Sequence, residues 1–258
     1  MRGVGVAGLA WAALLALPLG TEAAAPCELS VGWEPYAPYT YADDAGEVTG
    51  ADIEMIKAIA AEIGCSVEPV KRPWARILRE VENGTLDVST STSWTQDRSK
   101  WAWFSEPYRE TEVAIYVRRG ESSRFDVKDL AEVPDQRLRL GVNVDYFYGK
   151  AFAELASDPD YAAWIDGAPD YATNIRKLIN GRIDGFLVED VGVMHAELER
   201  LDATGLVERY PLRIPGQKLH FMFSRRTVDP PIVEQVDAAV ARMRADGRLD
   251  AIMAKYLQ

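Results

Sequence analysis

Short apolar runs alternate along this chain with apolar stripes of helical period. Leu29–Trp33 has the length and character of a strand, and Cys65–Val70 and Leu86–Thr90 read the same way. Between the first two, Ile53, Ile56, Ile59, Ala60 and Ile63 share one helical face, and Gly64 closes the helix. Thr49-Gly-Ala-Asp52, just ahead of that stripe, reads as a capping box with Asp52 in the place usually held by Glu. Pro73 opens a second helix carrying Trp74, Ile77, Leu78 and Val81, ended by Gly84. Glu112–Arg118 is a fourth strand-like run.

After Gly120 the alternation starts again. Arg137–Val142 and Ile183–Val188 are strand-like, and Tyr148–Leu155, Asn174–Asn180 and Val191–Leu201 are helical. An extended piece over Leu206–Ile214 leads to a last strand at Leu219–Ser224. Pro230 and Pro231 then open a long helix with Ile232, Val236, Ala239, Val240 and Met243 on its apolar side, ended by Gly247. A terminal helix holds Leu249, Ile252, Met253 and Tyr256. Strands alternating with helices predict an α/β fold with mostly parallel sheets flanked by helices, here as two successive units without a long linker.

The first residues stand outside this pattern. Arg2 precedes the apolar run Val4–Leu19, and Ala23-Ala24-Ala25 follows, the three-part layout of a secretory signal peptide over residues 1–25. Export gives the two cysteines a meaning, because an oxidising compartment favours pairing. Cys27 and Cys65 each stand at the head of a strand, so a bridge between neighbouring parallel strands is expected, with two free buried thiols as the alternative. Two cysteines and two histidines, His195 and His220, make a poor metal inventory, and neither a metal nor a cofactor is expected. The net charge of −11 argues against a nucleic-acid partner, which would need a basic face to displace counterions.

Ligands of open α/β sheets sit beyond the carboxyl ends of the strands. Unusual side chains cluster there: Trp33, Glu34, Tyr36 and Tyr39 after the first strand, Arg72 and Trp74 after the second, and Ser91, Ser93, Thr95 and Arg98 after the third. In the second unit Asp145 and Tyr146 follow one strand, and Glu189 and Asp190 another. A zwitterion needs such a set: a guanidinium fork for its carboxylate, acceptors for its ammonium and aromatic walls for the rest.

Ser93-Trp-Thr-Gln-Asp-Arg98 followed by Phe104-Ser-Glu-Pro-Tyr108 resembles the signature of bacterial extracellular solute-binding proteins of the polar amino-acid type. Thr49-Gly-Ala-Asp-Ile-Glu54, Gly181-Arg-Ile-Asp-Gly185, Ala245-Asp-Gly247 and Lys255-Tyr256 add to the likeness, which spans essentially the whole chain after the leader. The resemblance implies a two-lobed periplasmic-binding-protein fold with two crossover strands, lobe 1 over 26–116 and 218–258 and lobe 2 over 117–217. It implies that Arg98 grips a ligand carboxylate with Ser91 and Ser93 beside it, that Tyr36 and Trp74 sandwich the ligand, and that Glu189 takes its amine. Glu34 falls where relatives of cationic specificity face the ligand side chain. Asp145 and Tyr146 depart from the resemblance, standing where many members carry a Gly-Thr-Thr or Gly-Thr-Ser turn.

The function so implied is capture of a small polar solute, an amino acid or a derivative, by a monomer that closes around it and delivers it to an ABC-type permease in the inner membrane. A sensory subunit on the same fold is the alternative. Less favoured is a periplasmic dehydratase of cyclohexadienyl acids with Glu34, Glu189 or Asp145 as its acid, because the chain lacks the turn such enzymes show after the first strand of lobe 2. His195 and His220 have no nucleophile motif beside them, so a hydrolytic triad is not expected. Overall the chain reads as a binding protein and not an enzyme.

Overall fold

A computed structural model describes residues 27–256 together with Met1 and Gly3; the expected leader otherwise lies outside the described residues. Strand β1 (Cys27–Trp33) is followed by a small hairpin of β2 (Tyr41–Ala42) and β3 (Val48–Thr49), then α1 (Ala51–Glu62), β4 (Cys65–Lys71), α2 (Trp74–Asn83), β5 (Val88–Ser93), β6 (Ala102–Phe104) and β7 (Arg109–Glu110). The second unit runs through β8 (Ala114–Arg118), β9 (Leu140–Asn143), α3 (Lys150–Ala156), α4 (Pro159–Ala162), β10 (Ile165–Ala168), α5 (Tyr171–Ile179), β11 (Gly185–Val188), α6 (Met194–Arg200) and β12 (Val207–Arg209). The chain then returns with β13 (Lys218–Ser224), α7 (Pro230–Ala245) and α8 (Arg248–Tyr256).

These strands form two separate sheets. The first has the order β4-β1-β5-β13-β6, with β7 also on β13; the second has the order β10-β9-β11-β8-β12. Parallel pairing joins β1 to β4 and β5, and β9 to β10 and β11. The last-arriving β13 and the first-arriving β8 run antiparallel to their neighbours. The chain passes between the sheets twice, along β7 into β8 and back through Ile214 into β13. These passages lie side by side: Thr111 N donates to Gln217 O at 2.8 Å, and Val113 bridges Ile214.

Successive side chains of a strand point to opposite faces, so each sheet between two helical layers needs apolar residues on both. In β13, Phe221 and Phe223 join Val31, Ile56, Ile59, Val236 and Val240 on one face, while Met222 meets Ile77, Val81 and Leu86 on the other. In β11, Phe186 and Val188 pack with Ile175 and Leu178, and Leu187 packs with Ile115, Leu140 and Phe152. Each such side chain contributes about 1.5–3 kcal/mol when buried.

Cys27 and Cys65 are paired across β1 and β4, with Cα atoms 4.5 Å apart, so the alternative of free thiols is set aside. The capping box did not form. The residue before α1 is Gly50, at φ 115°, with no side-chain cap; a Cβ there would stand 2.3 Å from the Tyr39 carbonyl oxygen. Asp52 is instead fully buried and serves the network described below. Strand β10 carried no clear apolar signal, because an edge strand is held by backbone pairing with β9 and needs only Ile165 and Ala168 as apolar contacts.

Candidate functional site

The carboxyl ends of β1, β4 and β5 face those of β9, β10 and β11, and the residues beyond them meet between the lobes. Six of the expected residues, Glu34, Tyr36, Trp74, Ser91, Tyr146 and Glu189, line one small cavity of about 30 Å³. Ser93, Arg98 and Asp145 adjoin it without lining it. A larger cavity of about 620 Å³ shares Trp33, Glu34, Tyr36 and Tyr146 and runs outward past Lys71, Asp170 and Tyr171.

Arg98 sits in a short turn after β5 and is buried. Its Nη1 donates to Ser93 O at 3.1 Å and its Nη2 to the Asp145 carbonyl at 2.9 Å, with the guanidinium 5.5 Å from the Trp74 ring centre. Asp145 thus reaches the site through its main chain, while the residue itself is exposed. Trp74, at the start of α2, also donates its indole Nε1 to that carbonyl at 3.1 Å. Its backbone N–H donates to Glu34 Oε2 at 2.8 Å, a carboxylate at a helix start where backbone donors are free. Glu34 Oε1 accepts the Tyr146 hydroxyl at 2.9 Å.

The walls are aromatic. Tyr146 stands edge-on to Trp74, Tyr36 and Tyr171, with ring centres 6.1, 6.4 and 5.8 Å away. Tyr171 carried no expectation from the sequence; it follows the Asp170 cap of α5, and only the fold turns it toward Tyr36. The buried Tyr36 hydroxyl and Ser93 Oγ have no hydrogen-bond partner among the described residues.

Two carboxyl groups of the cleft are displaced from their ordinary range. Burial, reinforced by Asp190, pushes Glu189 up to about 8 against the pull of Arg109 and Arg98. Burial also raises Glu34, although its bonds from Tyr146 and Trp74 oppose the shift. Both acids therefore sit where a positive ligand charge would favour ionisation.

Beside this pocket lies an ionic network that the sequence did not disclose. Arg109, at the start of the first passage between lobes, bonds Asp52 Oδ1 at 3.1 Å and Asp190 Oδ2 at 2.5 Å. Tyr108 donates to Asp52 at 2.6 Å, Tyr39 donates to Asp190 at 3.3 Å, and Arg109 lies 3.6 Å from the Tyr39 ring centre. Ser91 Oγ belongs to the same network, donating to Asp52 and accepting from Arg109 Nη2. Arg109 follows Ser-Glu-Pro-Tyr108 directly, and a cation entering a passage strand was the one available signal. Asp190 also caps the turn after it, accepting from Gly192 N at 3.0 Å.

Two lobes on two crossing passages, with polar and aromatic residues facing across the gap, define a two-lobed binding-protein fold. The family model for bacterial extracellular solute-binding proteins, family 3, matches residues 29–258, and the chain belongs to that family. A probable histidine-binding protein of Neisseria gonorrhoeae is 27% identical over 225 residues, covering 86% of this chain and 79% of that protein. A crystal structure of a histidine kinase sensor domain with similarity to periplasmic binding proteins superposes with a TM-score of 0.76 at 22% identity, covering 89% of this chain and 96% of that one. An ancestral arginine-binding protein bound to arginine superposes with a TM-score of 0.75 at 24% identity, covering 90% and 98%.

Proposed function

We propose that this protein captures an amino acid with a positively charged side chain in the periplasm and delivers it to an ABC-type permease. The observation that carries the reading is the charge of the cleft: one guanidinium, Arg98, is set against two raised carboxyl groups, Glu34 and Glu189, within aromatic walls. A carboxylate for Arg98, an α-ammonium for Glu189 and a cationic end for Glu34 neutralise that set, and a cation among aromatic faces gains further. Relatives described as binding histidine or arginine support the choice. The same closed form would suit a sensory receptor, so the partner is the second element of the proposal. The cleft is proposed to bind and not to catalyse, in line with the relatives described as binding amino acids.

A thermal-shift screen over L-arginine, L-lysine, L-ornithine, L-histidine, L-glutamine and L-glutamate tests the ligand class. One of the basic amino acids at a hundredfold excess over its dissociation constant should stabilise the protein by about 2.7 kcal/mol. Uptake of that amino acid should fall in cells lacking the protein. A response to glutamate alone, or to none of the six, would overturn the reading.

A further inference from the structure

The turn after β9 makes contacts that resemble those of a ligand. Asp145 has φ 65°, the left-handed region that Asp tolerates better than most side chains, and its carbonyl accepts from both Arg98 Nη2 and Trp74 Nε1 across the cleft. The next residue, Tyr146, donates to Glu34 Oε1 and sets its ring edge against Trp74 and Tyr36. One dipeptide of lobe 2 thus gives the guanidinium an acceptor, the aromatic walls a flat body and the Glu34 carboxylate a donor. An amino acid with a cationic side chain brings the same three features. Two of the groups it would need are already engaged: Arg98 holds the Asp145 carbonyl and the Glu34 oxygens hold Trp74 N and Tyr146, and the inner cavity beside them is only about 30 Å³, with the larger one of about 620 Å³ running outward from it.

The lobes also meet closely at a second point. A Cβ on Gly192 of lobe 2 would stand 2.3 Å from the Tyr39 hydroxyl of lobe 1, so a larger residue there would have to push that side chain aside.

We infer that Asp145–Tyr146 is an internal surrogate for the ligand: it ties the lobes together through Arg98, Trp74 and Glu34, and an incoming ligand must displace it. The inference rests on the amino-acid reading for its choice of ligand, but the tie itself does not. Its consequence is a closed population in protein free of ligand, which lowers apparent affinity by the fraction of molecules that are not receptive. Tyr146 then sets affinity from the protein's side, as a competitor with the solute.

Spin labels on Ala75→Cys in α2 and Ala153→Cys in α3, both exposed positions, report the distance between lobes by pulsed electron paramagnetic resonance, with the native disulfide left intact. The protein is first stripped of bound solute by unfolding and dialysis. The short distance should dominate in the otherwise unaltered chain, and Tyr146→Ala should cut the ratio of short to long by on the order of tenfold, as expected for losing a hydrogen bond to a charged group. Tyr146→Phe, which keeps the ring, and Trp74→Phe, which keeps an aromatic ring but loses the indole N–H and part of the ring's area, should fall between. They carry the test if the alanine variant fails to fold. A long distance dominating the unaltered chain, or equal distributions in all the variants, overturns the tie.

L-Arginine titrated into the unlabelled proteins adds the competition. Tighter binding by Tyr146→Ala supports displacement; equal or weaker binding means that Tyr146 is an ordinary ligand contact. Because the distances need no ligand, their failure leaves the amino-acid reading standing, whereas absence of binding by L-arginine, L-lysine, L-ornithine and L-histidine in both proteins counts against that reading alone.

Discussion

Arg98 and Glu189 divide the proposed work between the lobes, and each has its own test. Removing one member of a buried, hydrogen-bonded charge pair costs about 2–5 kcal/mol of binding, tens- to thousands-fold in affinity. Arg98→Ala and Arg98→Lys should both show that loss for L-arginine in calorimetry, since an ammonium cannot reproduce the fork. Wild-type affinity in Arg98→Ala would remove Arg98 from the site. Glu189 predicts a pH dependence. Its folded-state pKa is raised, to about 8 from an ordinary 4.5, so the stability it contributes is complete below the ordinary value and is lost as pH rises through about 8. Thermal melts of the unliganded protein should fall over that window, and less so in Glu189→Gln. A ligand ammonium favours the ionised carboxylate, so affinity for L-arginine should climb across the same window and stay flat in Glu189→Gln. An equally steep rise in the glutamine variant would place the titrating group elsewhere.

At the scale of elements, the junction of β7 with the first passage depends on Arg109. Its guanidinium is fully enclosed, which by itself lowers its pKa; Asp52, Tyr108, Asp190 and Tyr39 reverse that and hold it charged. The network joins α1, the start of the passage and the end of β11, three elements that no local sequence pattern links. Breaking a buried ion pair by removing one partner costs about 3–5 kcal/mol, because the other charge is left buried without compensation. Arg109→Met should therefore lower the urea midpoint strongly. Lys100→Met, which removes an exposed pair with Asp97, should leave it nearly unchanged. Equal midpoints for the two variants would mean that the Asp52–Arg109–Asp190 network contributes little to folding.

For the whole molecule, the two passages are the only chain connections between the sheets among the described residues, so contacts across the cleft decide how the lobes sit. Three of those contacts come from the Asp145–Tyr146 turn and two more from Asp190. A ligand shifts such an equilibrium only by its differential affinity for the closed form. The net charge of −11 acts at longer range and, for the cationic solute proposed, would raise its local concentration and speed its encounter at low salt.

Hydrophobic period alone determined much of this protein. The Ile53–Ile63 stripe, the β1, β4 and β5 runs and the long helix after Pro230 were legible because each buries its face against its own neighbours. The order of motifs around Arg98 pointed to the family, and the strand-end positions of Glu34, Tyr36, Trp74, Tyr146 and Glu189 brought them to one cavity. Only the tertiary structure gave Asp52 a buried arginine instead of a helix cap, joined Arg109 to Asp190 across 81 residues, and turned the Asp145 carbonyl and Tyr146 hydroxyl onto groups of the opposite lobe. The physical reason is one of range. Periodicity records which face of an element is buried, whereas a polar side chain finds its partner only once distant elements meet, and nothing in the spacing of its neighbours specifies which partner that is.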